Sequence, residues 1–115
     1  MKILIAGSRS ITDYEVVKEG ILRAGFMITE VVSGGAHGVD KLGERWAQEH
    51  ALPVKQFLPD WNTYGKRAGP IRNSEMVKYC EGAVIIFDGT SRGTQDTITK
   101  MQAVNKQVFI YVPTV

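Results

Sequence analysis

Four short segments concentrate the residue types that handle anions. They are Gly7-Ser8-Arg9-Ser10, Gly34-Gly35-Ala36-His37-Gly38, the polar stretch 58–69 that leads to Arg72, and the run from Asp88 to Thr94. Glycine lets backbone approach a ligand closely, and a helix that follows offers free N–H groups and partial positive charge at its start. Three of the segments are glycine-rich and each precedes a helix-like stretch, so the chemistry they suit is phosphate binding. The same segments carry Arg9, Arg72 and Arg92, with Lys66 and Arg67 nearby. Arginine pairs bidentately with phosphate or carboxylate. Lys66 and Arg67 fit a solvated basic surface as well as a ligand contact. The nucleotide P-loop G-x-x-x-x-G-K-[ST] is absent, and G-x-G-x-x-G does not follow the first apolar run.

Other residues are candidates with two readings. Trp61 and Tyr64 could stack on a base or anchor their own segment. Asp40 could hydrogen-bond a ribose or supply a favourable charge in a helix's first turn. His37 sits between glycines and could touch a ligand, but no His, Cys and Asp spacing points to a metal, and no cofactor is expected. His50 reads as a helix-end residue contacting the last carbonyls. Trp46 reads as core, and Cys80 as a buried, inert thiol.

The elements that must position these residues follow from periodicity. Ile3-Leu4-Ile5-Ala6 is a continuous apolar run ended by Gly7, the pattern of a strand buried on both faces. Thr12 opens a helix with Glu15 completing a capping box; Val16, Val17, Ile21 and Ala24 form its apolar face, and Gly25 ends it. "MITEVVS" is the second strand. Val39, Leu42, Trp46, Ala47 and His50 recur at helical spacing over 39–50. "PVKQFL" is the third strand, and 58–69 is the one long irregular stretch, a length usually associated with function or mobility. Pro70 suits the first turn of a helix carrying Met76, Val77 and Cys80. "GAVIIF" is the fourth strand, Ile98, Met101 and Val104 mark a last helix, and "QVFIYV" is the fifth strand. Five strands alternating with four helices predict an α/β three-layer Rossmann-like sandwich. Its parallel sheet is expected in the order 3-2-1-4-5, with helices on both faces. In such sheets ligands bind beyond the carboxyl ends of the strands, where all four segments lie.

The bulk numbers set limits. With 115 residues, 43% of them hydrophobic and 23% charged, the expectation is one domain spanning 1–115. A net charge of +2 is too small for a general nucleic-acid or membrane binder. One cysteine, no signal-peptide-like apolar start and no run long enough to span a bilayer suggest a cytoplasmic protein without membrane partners.

In order along the chain, "AGSRSITDY", "VVSGGAHGVDKLGERWA", "DWNTYGKRAGPIRNSEM" and "VIIFDGTSRGT" resemble the small YspA-type proteins of the SLOG superfamily. The resemblance covers about residues 3–104. That superfamily includes the LOG-type phosphoribohydrolases and the DNA-processing protein DprA, and its shared theme is a Rossmann-like domain for nucleotides or nucleotide-derived ligands. LOG enzymes split the N-glycosidic bond of a nucleoside 5′-monophosphate through the motifs P-G-G-x-G-T-x-x-E and R-K-x-x-M. Here "RNSEM" matches the second at Arg72 and Met76, with Asn73 in place of lysine. Gly93 and Thr94 match the first, the residues before them are altered to Asp88, Gly89 and Thr90, and the glutamate position falls on Thr97.

The resemblance therefore implies ligand type more firmly than reaction. The reading it favours is binding of a nucleotide or nucleotide-derived small molecule, for sensing or sequestration. Gly7, Ser8, Gly34, Gly35, Gly38, Gly89, Gly93 and Thr94 lie along the loops that would cradle phosphate and ribose, Arg9 and Arg72 would neutralise charge, and Trp61 or Tyr64 would cover a base. The alternative is an N-glycosidase or nucleotide hydrolase with a non-standard carboxylate from Asp40, Asp88 or Asp96, assisted by Arg72; Asp60 also lies at a loop end from which it could converge. A nucleic-acid module is the least favoured alternative. The resemblance also implies a homo-oligomer.

Overall fold

A computed structural model describes residues 1–113. Its five strands are β1 (Lys2–Gly7), β2 (Glu30–Ser33), β3 (Val54–Gln56), β4 (Gly82–Ile86) and β5 (Gln107–Tyr111). All pair in parallel, in the order β3-β2-β1-β4-β5. This is the expected Rossmann-like topology. The helices are α1 (Tyr14–Ala24), α2 (Val39–Glu49), α3 (Trp61–Tyr64), α4 (Ala68–Tyr79) and α5 (Arg92–Ala103). None of the described helices is long and apolar enough to cross a membrane.

The side chains of β1 alternate between two separate cores, because successive strand residues point to opposite faces. Ile3 and Ile5 pack with Val17 and Ile21 of α1 and with Val39 and Ala47 of α2. Leu4 and Ala6 pack with Met76 and Val77 of α4 and with Ile98 and Met101 of α5. Both faces of β1 and β4 are thus covered, which explains why their sequences are continuously apolar rather than alternating. Cys80 is buried in the second core, where burial pushes its thiol pKa up and leaves it inert.

Several boundaries depart from the sequence expectation. α1 is capped by Asp13, not Thr12: the Asp13 carboxylate accepts from Glu15 N at 3.0 Å, and Glu15 pairs with Lys18 instead of closing a capping box. Gly25 does end α1, in the left-handed region at φ 71°, its N–H donating to Ile21 O. α2 ends at Glu49, and the His50 ring and backbone N–H both lie on Trp46 O, as expected of a helix-end histidine. Trp46 is only half-buried and stacks on His50 at 4.1 Å between ring centroids. Val104 follows α5 as its C-cap and is exposed, so it is not part of that helix's buried face.

The stretch 58–69 is not wholly irregular. Asp60 caps α3 by accepting from Thr63 N and Thr63 Oγ1, and a 3-10 turn over Gly65–Arg67 leads directly into α4. An aspartate three residues ahead of a threonine is an N-cap pattern, and here it makes a helix too short to show in periodicity. α4 accordingly begins two residues earlier than Pro70, which occupies its first turn.

Candidate functional site

β1 and β4 are neighbours at the centre of the sheet, and their connections leave in opposite directions. Their carboxyl ends therefore open a crevice at the point where strand order reverses. A cavity of about 450 Å³ lies there. It is lined by Ala6, Gly7, Arg9 and Ser10 from the end of β1, Ala36 and Asp40 from the start of α2, and Arg72, Asn73 and Met76 from α4. Asp88, Ser91, Gly93, Thr94 and Thr97 from the start of α5 complete it.

The floor is shaped by close backbone packing. A Cβ at Gly7 would collide with Ile86 O and stand 2.8 Å from Val39 Cγ2. Gly38 has φ 80° and faces Ser8 O and Arg9 O, so the β1–α1 connection can lie directly on the start of α2.

Asp88 organises one wall. Its carboxylate accepts from Thr90 N at 2.8 Å, Ser91 N at 2.9 Å, Ser91 Oγ at 3.0 Å and Ser10 Oγ at 3.2 Å. Asp88 N donates to Ser8 Oγ at 2.9 Å, and Ser8 N donates to Ile86 O at 3.1 Å. The Thr90 and Ser91 N–H groups hold the Asp88 carboxyl well below the usual carboxylate range. Asp88 is thus a clasp joining the β1–α1 and β4–α5 loops. With its lone pairs engaged and its proton lost, it is poorly suited to act as a base.

The opposite wall is built around Gly34. Arg72 Nη1 donates to Gly34 O at 2.7 Å, and Arg72 Nε donates to Asn73 Oδ1 at 3.0 Å. A Cβ on Gly34 would stand 2.6 Å from Arg72 Nη1 and 2.8 Å from Asp40 Oδ2. Asp40 is 5% exposed and accepts from Ala36 N at 3.2 Å. Burial raises its carboxyl pKa to about 6, against the opposing pull of the Ala36 N–H, the Arg72 guanidinium and the Gly7 N–H. Burial likewise lowers the Arg72 pKa, with Asp40 opposing it.

The third carboxylate proposed from the sequence, Asp96, does not line the cavity. Its Oδ2 accepts from Asn73 Nδ2 at 3.0 Å and from Lys100 Nζ at 2.8 Å. Thr97, at the glutamate position of the LOG motif, is buried and donates to Gly93 O at 3.3 Å. Its hydroxyl secures the first turn of α5.

The structure therefore brings Gly7, Arg9, Asp40, Arg72, Asn73, Asp88, Gly93 and Thr94 to one cavity. Ser8 and Gly34 stand behind the lining and fix its loops. Gly35 abuts Leu58, while His37, Gly89 and Thr90 lie outside the lining. Asp60 is occupied as the cap of α3, and Trp61, Tyr64 and Lys66 are exposed beyond the cavity lining. The lining residues not anticipated as ligand contacts are Ala6, Ser10, Ala36, Met76, Ser91 and Thr97. Ser10 and Ser91 carried a legible sign, hydroxyls inside glycine-rich turns. Met76 was marked only by its match to the R-K-x-x-M motif, and Ala6 carried no sign, since an apolar residue at a strand end looks like core.

Donor groups remain open in this cavity. The first turn of α5 leaves N–H groups without intrahelical acceptors. Among the described residues, Arg9 makes no ion pair or side-chain hydrogen bond and is exposed at the cavity; Thr94 also lines it, and no buried side-chain polar atom is left without a partner, so these groups open onto the cavity rather than being buried unpaired.

A sequence model described as the YspA, cpYpsA-related SLOG family matches residues 1–64. The Gene 61 protein of Mycobacterium phage D29 is 32% identical over 111 residues, covering 88% of each chain. The fold is similar to that of DNA processing protein A (DprA) from Streptococcus pneumoniae, with a TM-score of 0.78 over 99% of this chain at 18% identity. The chain spans about half of that protein, 51% of its length.

Proposed function

This chain belongs to the YspA, cpYpsA-related SLOG family, and from that premise we propose that its rim cavity binds a nucleotide or nucleotide-derived ligand, for sensing or sequestration. The observation that supports the reading is the set of donor groups lining the cavity: Arg9, the Thr94 hydroxyl and the start of α5, whose N-cap Ser91 makes no side-chain capping bond. Donors so placed are matched by a phosphate. A volume of about 450 Å³ suits a small phosphorylated nucleoside.

Calorimetric titration with AMP, cyclic AMP, ADP-ribose and ATP tests it. At least one is expected to bind more tightly than millimolar. Failure of all four would end the reading.

One observation favours a second reading, an N-glycosidase or nucleotide hydrolase. Of the three candidate carboxylates, Asp40 combines a position in the cavity wall with a pKa of about 6, where a group can both take and give a proton near neutrality. Chromatography of nucleotides incubated with the protein distinguishes the two. Release of free base or phosphate, abolished in Asp40→Asn, supports catalysis; a bound ligand recovered intact rejects it.

A further inference from the structure

The cavity carries two guanidiniums, Arg9 and Arg72, and two carboxylates, Asp40 and Asp88. The two carboxylates differ in kind. Asp88 accepts from five donors of its own and its neighbouring loops and stays ionised. Asp40 is buried, and its carboxylate is held only by backbone N–H groups, Ala36 N at 3.2 Å and that of Gly7, beside the Arg72 guanidinium. The charge of the cavity therefore depends on Asp40 alone. Ionised, it offsets Arg72 across Gly34; protonated, it leaves the wall with an uncompensated guanidinium.

We propose that the cavity takes up its anionic ligand together with a proton on Asp40, so that ligand binding is proton-coupled. This rests on the nucleotide-binding reading and deepens it. The charged groups around Asp40 allow it. Arg72 of α4 and the Gly7 N–H from the β1–α1 turn favour the carboxylate, as does the Ala36 N–H. Glu44, one turn along α2, disfavours it, with its own carboxylate held by Ser33 Oγ at 2.6 Å and Gln56 Nε2 at 2.9 Å. Arg9 and Asp88 face it across the cavity, and His37 is exposed on the adjoining loop. A phosphate entering this ring adds a like charge to the wall, which shifts Asp40 further toward its protonated form. Two states linked in this way must exchange protons on binding.

The second consequence concerns what lies against Asp40. In its protonated form the carboxyl both donates and accepts a hydrogen bond. A phosphoryl or ring acceptor can then lie against it without repulsion, whereas the ionised form accepts only from donors such as sugar hydroxyls.

The test measures AMP affinity for the wild type and for Asp40→Asn between pH about 5 and about 8. Asparagine imitates the neutral state, and taking the ratio of the two affinities cancels the titration of AMP itself. The expected ratio is near unity at the acid end, with the wild type weaker by about tenfold at the alkaline end. A carbon-detected NMR titration of the wild-type Asp40 carboxyl, with and without AMP, gives a readout independent of the variant's folding. Its midpoint is expected to move up when AMP is present. If AMP binds with a ratio that does not vary with pH and an unmoved midpoint, proton coupling is overturned while the binding reading stands. If AMP binds neither protein at millimolar concentration at any pH, the nucleotide reading fails for this ligand and the coupling fails with it.

Discussion

Arg9 projects from the turn after β1 with no internal partner among the described residues, so its charge contributes little to holding the fold. Its removal should be felt by the ligand instead. Arg9→Ala is expected to leave the unfolding midpoint nearly unchanged, within about 0.5 kcal/mol. It should weaken nucleotide affinity by about 10- to 100-fold, the scale of one charge-assisted hydrogen bond. Calorimetry alongside a denaturant melt separates the two effects.

Asp40 has the opposite profile. Its folded pKa of about 6 lies above its ordinary value of 3.8, so between those values the folded state holds more protons than the unfolded chain. Stability then falls as pH rises through that window and levels off above it, a loss of roughly 3 kcal/mol. Asp40→Asn should remove this slope and be the more stable protein at pH about 8, as read from urea melts across the range.

At residue scale the polar members of the site were readable in the sequence. Glycine beside Arg9, Asp40, Thr94 and their neighbours at strand ends marks places of close backbone approach, and at Gly7 and Gly38 the approach is to the protein's own backbone. Trp61 and Tyr64 were readable as candidates but not as outsiders. What keeps them off the cavity is the local bond from Asp60 that winds α3, and local capping competes invisibly with convergence on a pocket.

At the scale of elements, α2 carries Asp40 and its placement depends on Gly43. A Cβ there would stand 2.7 Å from Ile5 Cγ2, so the helix backbone rests directly on the Ile5 side chain of β1. Gly43→Ala adds helix propensity but forces the helix outward, and the packing cost should win: about 1–3 kcal/mol of destabilisation. Because Asp40 moves with the helix, ligand affinity should fall as well. A thermal melt and a titration on the same variant check both. The sequence made α2 plain, through an apolar stripe at helical spacing, and it made β1 and β4 plain because strands buried on both faces have no polar alternation. It did not show where α1 or α4 begins. Thr12 and Asp13 are both competent caps, and backbone geometry chose Asp13. The 3-10 turn over Gly65–Arg67 extends α4 backward past the proline that had marked its start.

At the scale of the molecule, the cavity draws on both halves of the sheet. β1 and β2 and their helices supply Arg9 and Asp40; β4 supplies Asp88, while α4 and α5 supply Arg72 and Thr94. A ligand seated there contacts segments from both halves and should stabilise the whole chain rather than one loop. At a concentration about 100 times its dissociation constant, the gain is about 2.7 kcal/mol. For a chain of this length that is a rise in melting temperature on the order of 10 °C. A nucleotide that binds by calorimetry yet leaves the melt unmoved would mean that the unfolded chain holds it equally well. The strand order, and so the place of the crevice, followed from alternating strand and helix patterns and the handedness of parallel crossovers.

The close packing under Gly7 has a consequence for how such a site can diversify. No larger residue fits there without parting β1 from β4, whereas a side chain at Gly34 would displace the ends of Arg72 and Asp40. The floor is closed to mutational drift, because each accessible step passes through a broken sheet or a displaced guanidinium. The segment beyond the lining is open: Trp61 and Tyr64 are solvent-facing. Change in a scaffold of this kind is therefore expected to spare the cavity floor and to fall on the exposed segment beyond it.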